Sequence, residues 1–358
     1  MAKLKREYTN LLITILFLLA FTACSSNQPV PTLMPVAVLP TADMESLLAT
    51  ATPLPTLFPS PTVMPSPTWP QPEQQNPQSP ISNPSESSEQ APLANPQSPT
   101  PTPAFGLPVN EISPNVIVRM PPEVMANVAT IFEKGNTLGR NPHVFSKMGD
   151  SAVLTSHYLT RFDDELYYNL GQYDYLQPVI DHYAGSFSRY GAATKVGLSS
   201  FGVLDPMWSN KSWCGPQEHM LQCEIRHNNP SVILMRIGTN DGITRELFTE
   251  NMRQIIEFCL EQGIIPVLAT KADRFEGDNR NNEVLMQLAD EYKIPLWDFD
   301  AVAATLPDRG LTADNAHLTI SDRNDYTDPN TFTKGYPMND LTALMALDAI
   351  LRATGANQ

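Results

Sequence analysis

Four short motifs follow one another along this chain: Gly149-Asp150-Ser151, Ser200-Phe201-Gly202, Gly238-Thr239-Asn240-Asp241 and Asp314-Asn315-Ala316-His317. Between them they hold a hydroxyl, several amide donors, and an imidazole with a carboxylate three residues before it. A serine hydroxyl is a weak nucleophile at neutral pH and needs a base beside it. An imidazole suits that task, taking the proton and later returning it to the leaving group. A carboxylate on its far nitrogen fixes the tautomer and stabilises the imidazolium. Amides aimed at the oxygen that becomes negative complete the parts needed for acyl transfer. No other group of residues in the sequence specifies a reaction as fully.

Residues this far apart act together only if the fold converges them. The segment from His143 to Met148, ending at Gly149, is expected to be a first strand, and Ala193 to Leu198 a second. Ser231 to Ile237 is nearly continuous in apolar residues, the pattern of a strand buried on both faces. Ile264 to Thr270 and Pro295 to Phe299 are expected as the fourth and fifth. Helical stripes fall between them. Met252, Ile255, Ile256, Cys259 and Leu260 recur at helical spacing, with Gly263 where a helix C-terminal glycine belongs. Val284, Leu285, Leu288, Ala289 and Tyr292 form another stripe. Leu341, Leu344, Leu347 and Leu351 form the last, with Asn339 or Asp340 expected to cap it. Strands alternating with helices imply an α/β fold with right-handed crossovers and a parallel sheet. The first three motifs then sit at the C-terminal ends of strands and the fourth in the loop after the fifth. That is the sheet edge where open α/β folds bind ligands.

From Val144 to His317 this arrangement resembles the GDSL, or SGNH, hydrolase family, whose four blocks carry a Ser, a Gly, an Asn and a His. The resemblance implies a three-layer α/β/α sandwich around a five-stranded parallel, flavodoxin-like sheet. It implies a carboxylic ester hydrolase that uses no metal or organic cofactor. Ser151 is then the nucleophile, His317 the base and Asp314 its orienting acid. The oxyanion hole is then made by the Ser151 amide, the Gly202 amide and the Asn240 side chain. Gly197 is a rival to Gly202, or else a strand-end glycine.

Other residues carry weaker signals. Trp208 and Trp213 follow the second block and suit either stacking on a sugar ring or packing under a loop. The tyrosines from Tyr158 to Tyr190 suit an acyl pocket, the core or the surface. Asp322-Arg323-Asn324-Asp325 with Asp328 faintly resembles a calcium loop but lacks the glycine and distal glutamate of an EF-hand, so a solvated loop is expected. His143, His157, His182 and His227 have no motif around them.

The rest of the chain bears on location. Between Gln28 and Pro114 lie 22 of the 34 prolines and no Lys or Arg. Repeated Pro-Thr and Pro-Ser steps favour polyproline II and cannot bury enough apolar surface to offset ordering entropy. Residues 25–114 are therefore expected to be a semi-rigid linker reaching at most ~250 Å at ~3.1 Å per residue. Ahead of it Lys3, Lys5 and Arg6 precede the apolar run Leu11 to Phe21, as in an export signal over residues 1–24. Phe21-Thr22-Ala23-Cys24 resembles the lipobox of bacterial lipoproteins, which implies lipidation at Cys24 and membrane anchoring; an ordinary cleaved signal is the alternative. Residues 115–358 are left for one catalytic domain. In an exported protein Cys214 and Cys223 are expected to pair as a disulfide. Free thiols, or a zinc site with His219, are the alternatives. Cys259 falls on an apolar helix face as a core residue. A formal charge of −15 argues against nucleic acid as a partner.

These features support a surface-tethered serine esterase acting on carboxylic esters, with an acylated polysaccharide as one substrate class and short-chain or lipid esters equally allowed. The alternatives are a surface-anchored binding module that keeps the fold without catalysis, and a metal-dependent hydrolase using the Asp/Asn-rich loop.

Overall fold

The computed structural model describes residues 106–356. The expected signal peptide, Cys24 and nearly all of the expected linker lie outside them. Packed chain begins ahead of Asn115. Val109 is fully buried and bridges Ile112, and the Asn110 side chain donates to the Phe332 carbonyl at 3.0 Å.

In chain order the main elements are α1 (Pro114–Ile117), β1 (Val118–Arg119), α2 (Pro122–Thr137), β2 (Asn141–Gly149), β3 (Tyr168–Asn169) and α3 (Gln177–His182). Then come α4 (Met220–Asn228), β4 (Pro230–Arg236), α5 (Arg245–Glu261), β5 (Ile265–Ala269) and α6 (Arg280–Tyr292). The last are β6 (Leu296–Trp297), α7 (Phe299–Ala303), β7 (Asn324–Asp325) and α8 (Gly335–Thr354). The central sheet runs β1-β6-β5-β4-β2, and β3 pairs with β7 in a separate ribbon. Every residue of β4 and of β5 is buried, so both faces of the sheet centre are covered. On the helical side, α2 packs with α8 and α5 with α6. This is an α/β fold with a mostly parallel central sheet.

The sheet differs from the expected one in two places. The two-residue β1 pairs antiparallel with β6, so one edge strand runs against the other four. The expected second strand, Ala193 to Leu198, is reduced to a single bridge between Thr194 and Gly149. A turn ends it, with the Leu198 amide donating to the Lys195 carbonyl at 3.0 Å. The buried carboxylate of Glu224 on α4 takes the amides of Ala192 and Ala193, the latter at 3.4 Å. Gly197, at φ +71, then turns the chain away. The bridge extends the sheet beyond β2.

The helical stripes at α5 and α6 form as expected, and Gly263 adopts φ +66 just past α5. The terminal helix starts a turn earlier than expected. Lys334 stands at its N-cap, Pro337 is accommodated in the first turn, where its missing N–H costs nothing, and Asn339 and Asp340 are buried inside the helix. Asp340 takes the Leu159 amide at 3.0 Å and the Asn324 side chain at 2.9 Å instead of capping. Among the described residues no helix is long and apolar enough to cross a membrane.

Candidate active site

The end of β2 carries Ser151 into a tight turn. Asp150 builds that turn. Its carbonyl accepts the amides of Val153 and Leu154 at 3.0 and 2.9 Å, and its carboxylate accepts the Ala152 amide at 2.9 Å. Burial pushes the Asp150 carboxyl up, against the opposing pull of the Arg236 charge. His317 comes from the far end of the chain. A bridge between Leu311 and Leu318 pinches its loop, and the Thr312 amide donates to the His317 carbonyl at 2.8 Å.

Three expected residues meet in one line. Ser151 Oγ lies 2.9 Å from His317 Nε2, and His317 Nδ1 lies 2.6 Å from Asp314 Oδ2. The other carboxylate oxygen of Asp314 accepts the Thr312 hydroxyl at 2.7 Å and the amides of Ala316 and His317 at 3.0 Å each. The Thr312 hydroxyl, the Ala316 amide and the His317 side chain and amide together hold the Asp314 carboxyl well below the usual carboxylate range. A carboxylate that stays ionised keeps the proton on Nδ1 and leaves Nε2 free to accept one from the serine.

The expected oxyanion donors are placed differently from one another. No hydrogen bond of the Ser151 amide to protein is found among the described residues. The Gly202 amide donates to the Ser199 carbonyl at 3.1 Å, closing the 3₁₀ turn Ser200–Gly202. Asn240 Nδ2 donates to Asp150 Oδ2 at 2.9 Å and to the Leu198 carbonyl at 3.2 Å. Gly202 is a glycine for a visible reason: a Cβ there would lie 2.8 Å from the Trp208 ring. Gly197 meets nothing within 4 Å, and its demand is the positive φ alone.

Two supports were not legible as such. The buried Asp241, last residue of the third block, accepts the Ser200 amide at 2.9 Å and the Ser200 hydroxyl at 2.6 Å, tying the third block to the second. Buried Lys271, just after β5, bonds Asp273 at 2.8 Å, and Asp273 accepts the Thr239 hydroxyl at 3.0 Å, which holds the third block from the other side. Asp241 lies inside the third block, but nothing in the sequence marks it as buried. Lys271 sits in no motif.

The remaining candidates settle into structural positions. Cys214 and Cys223 form a disulfide. Their sulfurs and a Glu218 oxygen lie within 4.8 Å of one another, but sulfurs bonded to each other offer no thiolate to a zinc ion. His219 instead caps α4, its Nδ1 accepting the Gln222 amide at 3.3 Å. Cys259 is buried and its thiol is pushed up to about 12. The Asp-rich loop is solvated at Asp322, Arg323 and Asp328, as expected, and anchored at Asn324. Asn324 is fully buried and accepts Arg161 at 2.7 Å, while Asp325 and Asp328 cap the turns that follow them. Tyr158, Tyr173 and Tyr183 are core residues, and Tyr190 is exposed. His182 bonds the Pro142 carbonyl at 3.0 Å and stacks near His143; His227 bonds the Trp213 carbonyl at 3.0 Å; His157 contacts Arg161 at 3.1 Å.

No family model matches the chain, and no curated protein matches it. Among solved structures it is similar to a GDSL-like lipase from Bacteroides thetaiotaomicron, at 15% identity and a TM-score of 0.34, over 64% of this chain and 99% of that one.

Proposed function

We propose that this protein is a serine esterase of the GDSL, or SGNH, kind. The observation that carries the proposal is the continuous chain from Ser151 Oγ to His317 Nε2 at 2.9 Å and from His317 Nδ1 to Asp314 at 2.6 Å. Ser151 Oγ attacks the ester carbonyl carbon while its proton passes to His317 Nε2. The carbonyl oxygen becomes an oxyanion facing the Ser151 amide. Gly202 and Asn240 share the donor role through hydrogen bonds that can bifurcate towards it. Collapse expels the alcohol, which takes the proton from His317. Water then repeats the sequence on the acyl-enzyme, releasing the carboxylic acid and restoring Ser151. The chemistry calls for no metal or cofactor.

The same proposal places the helices in two layers about the sheet, as a three-layer α/β/α sandwich; the pairings of α2 with α8 and of α5 with α6 support it. It places the enzyme outside the cytoplasm, anchored through a lipidated Cys24, on the strength of the basic start, the apolar run and the lipobox-like Phe21-Thr22-Ala23-Cys24. An acylated polysaccharide is a fitting substrate for an enzyme so placed.

A second reading, a binding module without catalysis, is favoured by one observation: the Gly202 and Asn240 donors already hold protein acceptors. Hydrolysis of p-nitrophenyl acetate by the wild type and by Ser151→Ala separates the two. Esterase action predicts a loss on the order of 10³-fold or more. Equal rates would sink it. Activity that survives EDTA also removes the metal-dependent alternative.

A further inference from the structure

A cleft of about 630 Å³ opens beside the candidate active site, walled by Tyr190, Thr194, Lys195, Trp208, Lys211 and Trp213. It shares structure with the site. The Lys195 amide donates to the Gly149 carbonyl at 3.1 Å, two residues before Ser151, and the Trp208 ring lies against Gly202 of the second block.

The charge of the cleft runs against that of the chain. The chain carries 38 acidic and 23 basic residues, yet the lining holds two lysines and no Asp or Glu. Neither ammonium is paired with a carboxylate among the described residues. Lys195 Nζ donates to the Trp208 carbonyl at 2.9 Å. Lys211 Nζ donates to the Ser209 hydroxyl at 2.7 Å and to the carbonyls of Gly215, Pro216 and Glu218 at 3.2, 3.1 and 3.4 Å. Lys211 has four protein acceptors for three N–H groups and keeps none for a ligand, whereas Lys195 has one, so the positive charge the cleft offers an incoming anion is that of the Lys195 ammonium.

The aromatic walls are fixed as well. Lys195 Nζ stands 5.0 Å from the centre of the Trp208 ring, and Phe201 meets that ring edge-on at 5.1 Å. Lys147 Nζ stands 5.4 Å from the centre of the Tyr190 ring. Trp213 is 51% exposed and directly precedes Cys214, whose disulfide to Cys223 restrains the backbone there. Flat apolar faces already held in position bind at little ordering cost. Faces of this kind, beside the Lys195 cation and the hydroxyl of Thr194, match pyranose rings that carry carboxylates.

We propose that this cleft binds a stretch of acidic polysaccharide, hexuronate residues flanking the acylated sugar, and so presents the ester to Ser151. The catalytic half of this statement rests on the esterase reading; the binding half does not. The test therefore uses full-length Ser151→Ala, titrated calorimetrically with hexagalacturonate, with cellohexaose and with phosphatidylglycerol vesicles. Hexagalacturonate is expected to bind with an affinity that falls as salt rises, and cellohexaose is expected to bind far more weakly. Adding Lys195→Met or Trp213→Ala is expected to weaken hexagalacturonate binding roughly tenfold or more, with Lys195→Arg restoring it, which separates lost charge from lost folding. Equal binding of the neutral and acidic hexamers overturns the proposal, as does a preference for the vesicles or indifference to both substitutions. Salt-sensitive hexagalacturonate binding by a wild type that does not hydrolyse p-nitrophenyl acetate leaves the cleft assignment standing and removes the esterase. Hydrolysis without hexagalacturonate binding does the reverse.

Discussion

The carboxylate of Asp241 grips Ser200, 41 residues earlier in the chain: Oδ1 takes both the Ser200 amide, at 2.9 Å, and its hydroxyl, at 2.6 Å, and Oδ2 reaches the same amide at 3.1 Å. This is how the turn that bears Gly202 is fixed to the strand end that bears Asn240. Both partners are buried, so the tie is shielded from water and costly to break.

Asp241→Ala leaves the Ser200 amide and hydroxyl buried without their main acceptor. A cost of about 2–4 kcal/mol in unfolding free energy is expected. Ester hydrolysis should fall with it, because the Gly202 turn loses its anchor. Urea unfolding and kcat on p-nitrophenyl acetate check both. An unchanged urea midpoint would show that the turn is held by something else.

Asp314 calls for the opposite pattern. Its carboxyl lies below the usual range, chiefly through the Thr312 hydroxyl and the Ala316 amide. A depressed folded value contributes stability above the unfolded pKa of ~3.9 and loses it as pH falls through the lower folded value. The side chain is 52% exposed, so solvent screening keeps that contribution small. Asp314→Asn should therefore change the melting temperature little while lowering kcat by ~10³–10⁴. A near-wild-type rate in this variant would remove Asp314 from the mechanism.

Much of this was legible because it is local. The apolar run at β4 announces a doubly covered strand, and the three-residue spacing of Asp314 and His317 lets one pinched loop carry both. What was not legible depends on contacts across the chain. The second strand stops at Thr194 because the turn Lys195–Leu198 leads the chain off, with Gly197 at φ +71, while Glu224, about thirty residues on, holds the amides of Ala192 and Ala193. The two-residue strand β1 is too short for any period to show. Asn339 and Asp340 look like caps, but the helix begins ahead of Pro337 and buries them. Thr312, Asp241 and Lys271 act only through the partners the fold brings to them.

Asp340 gives a stability signature in pH. Complete burial pushes its carboxyl up to about 7, with the Asn324 side chain and the Leu159 amide pulling the other way. A raised folded value means that the folded chain holds a proton the unfolded chain has lost. The associated stability is fully present below the unfolded pKa of ~3.9 and is lost as pH rises through about 7. Wild type should thus lose more urea resistance between pH 5 and pH 8 than Asp340→Asn does. Asparagine also brings a donor against the Leu159 amide or Asn324, so its absolute stability should drop. The diagnostic quantity is the pH difference within each protein. Equal differences would place the titration elsewhere.

Gly202 and Gly197 are told apart by two alanine variants. At Gly202 an added Cβ meets the Trp208 ring at 2.8 Å, so either the ring or the 3₁₀ turn must move. Overpacking of this kind costs about 1–3 kcal/mol. Here it also displaces the amide expected to face the oxyanion. At Gly197 there is room for a Cβ, and the cost is the left-handed backbone at φ +71, about 1–2 kcal/mol. Gly202→Ala should lower kcat at least tenfold, as loss of an oxyanion donor does, and shift the tryptophan fluorescence. Gly197→Ala should lower the melting temperature with a smaller loss of rate. The reverse order, a larger rate loss at Gly197 than at Gly202, would transfer the oxyanion role to Gly197.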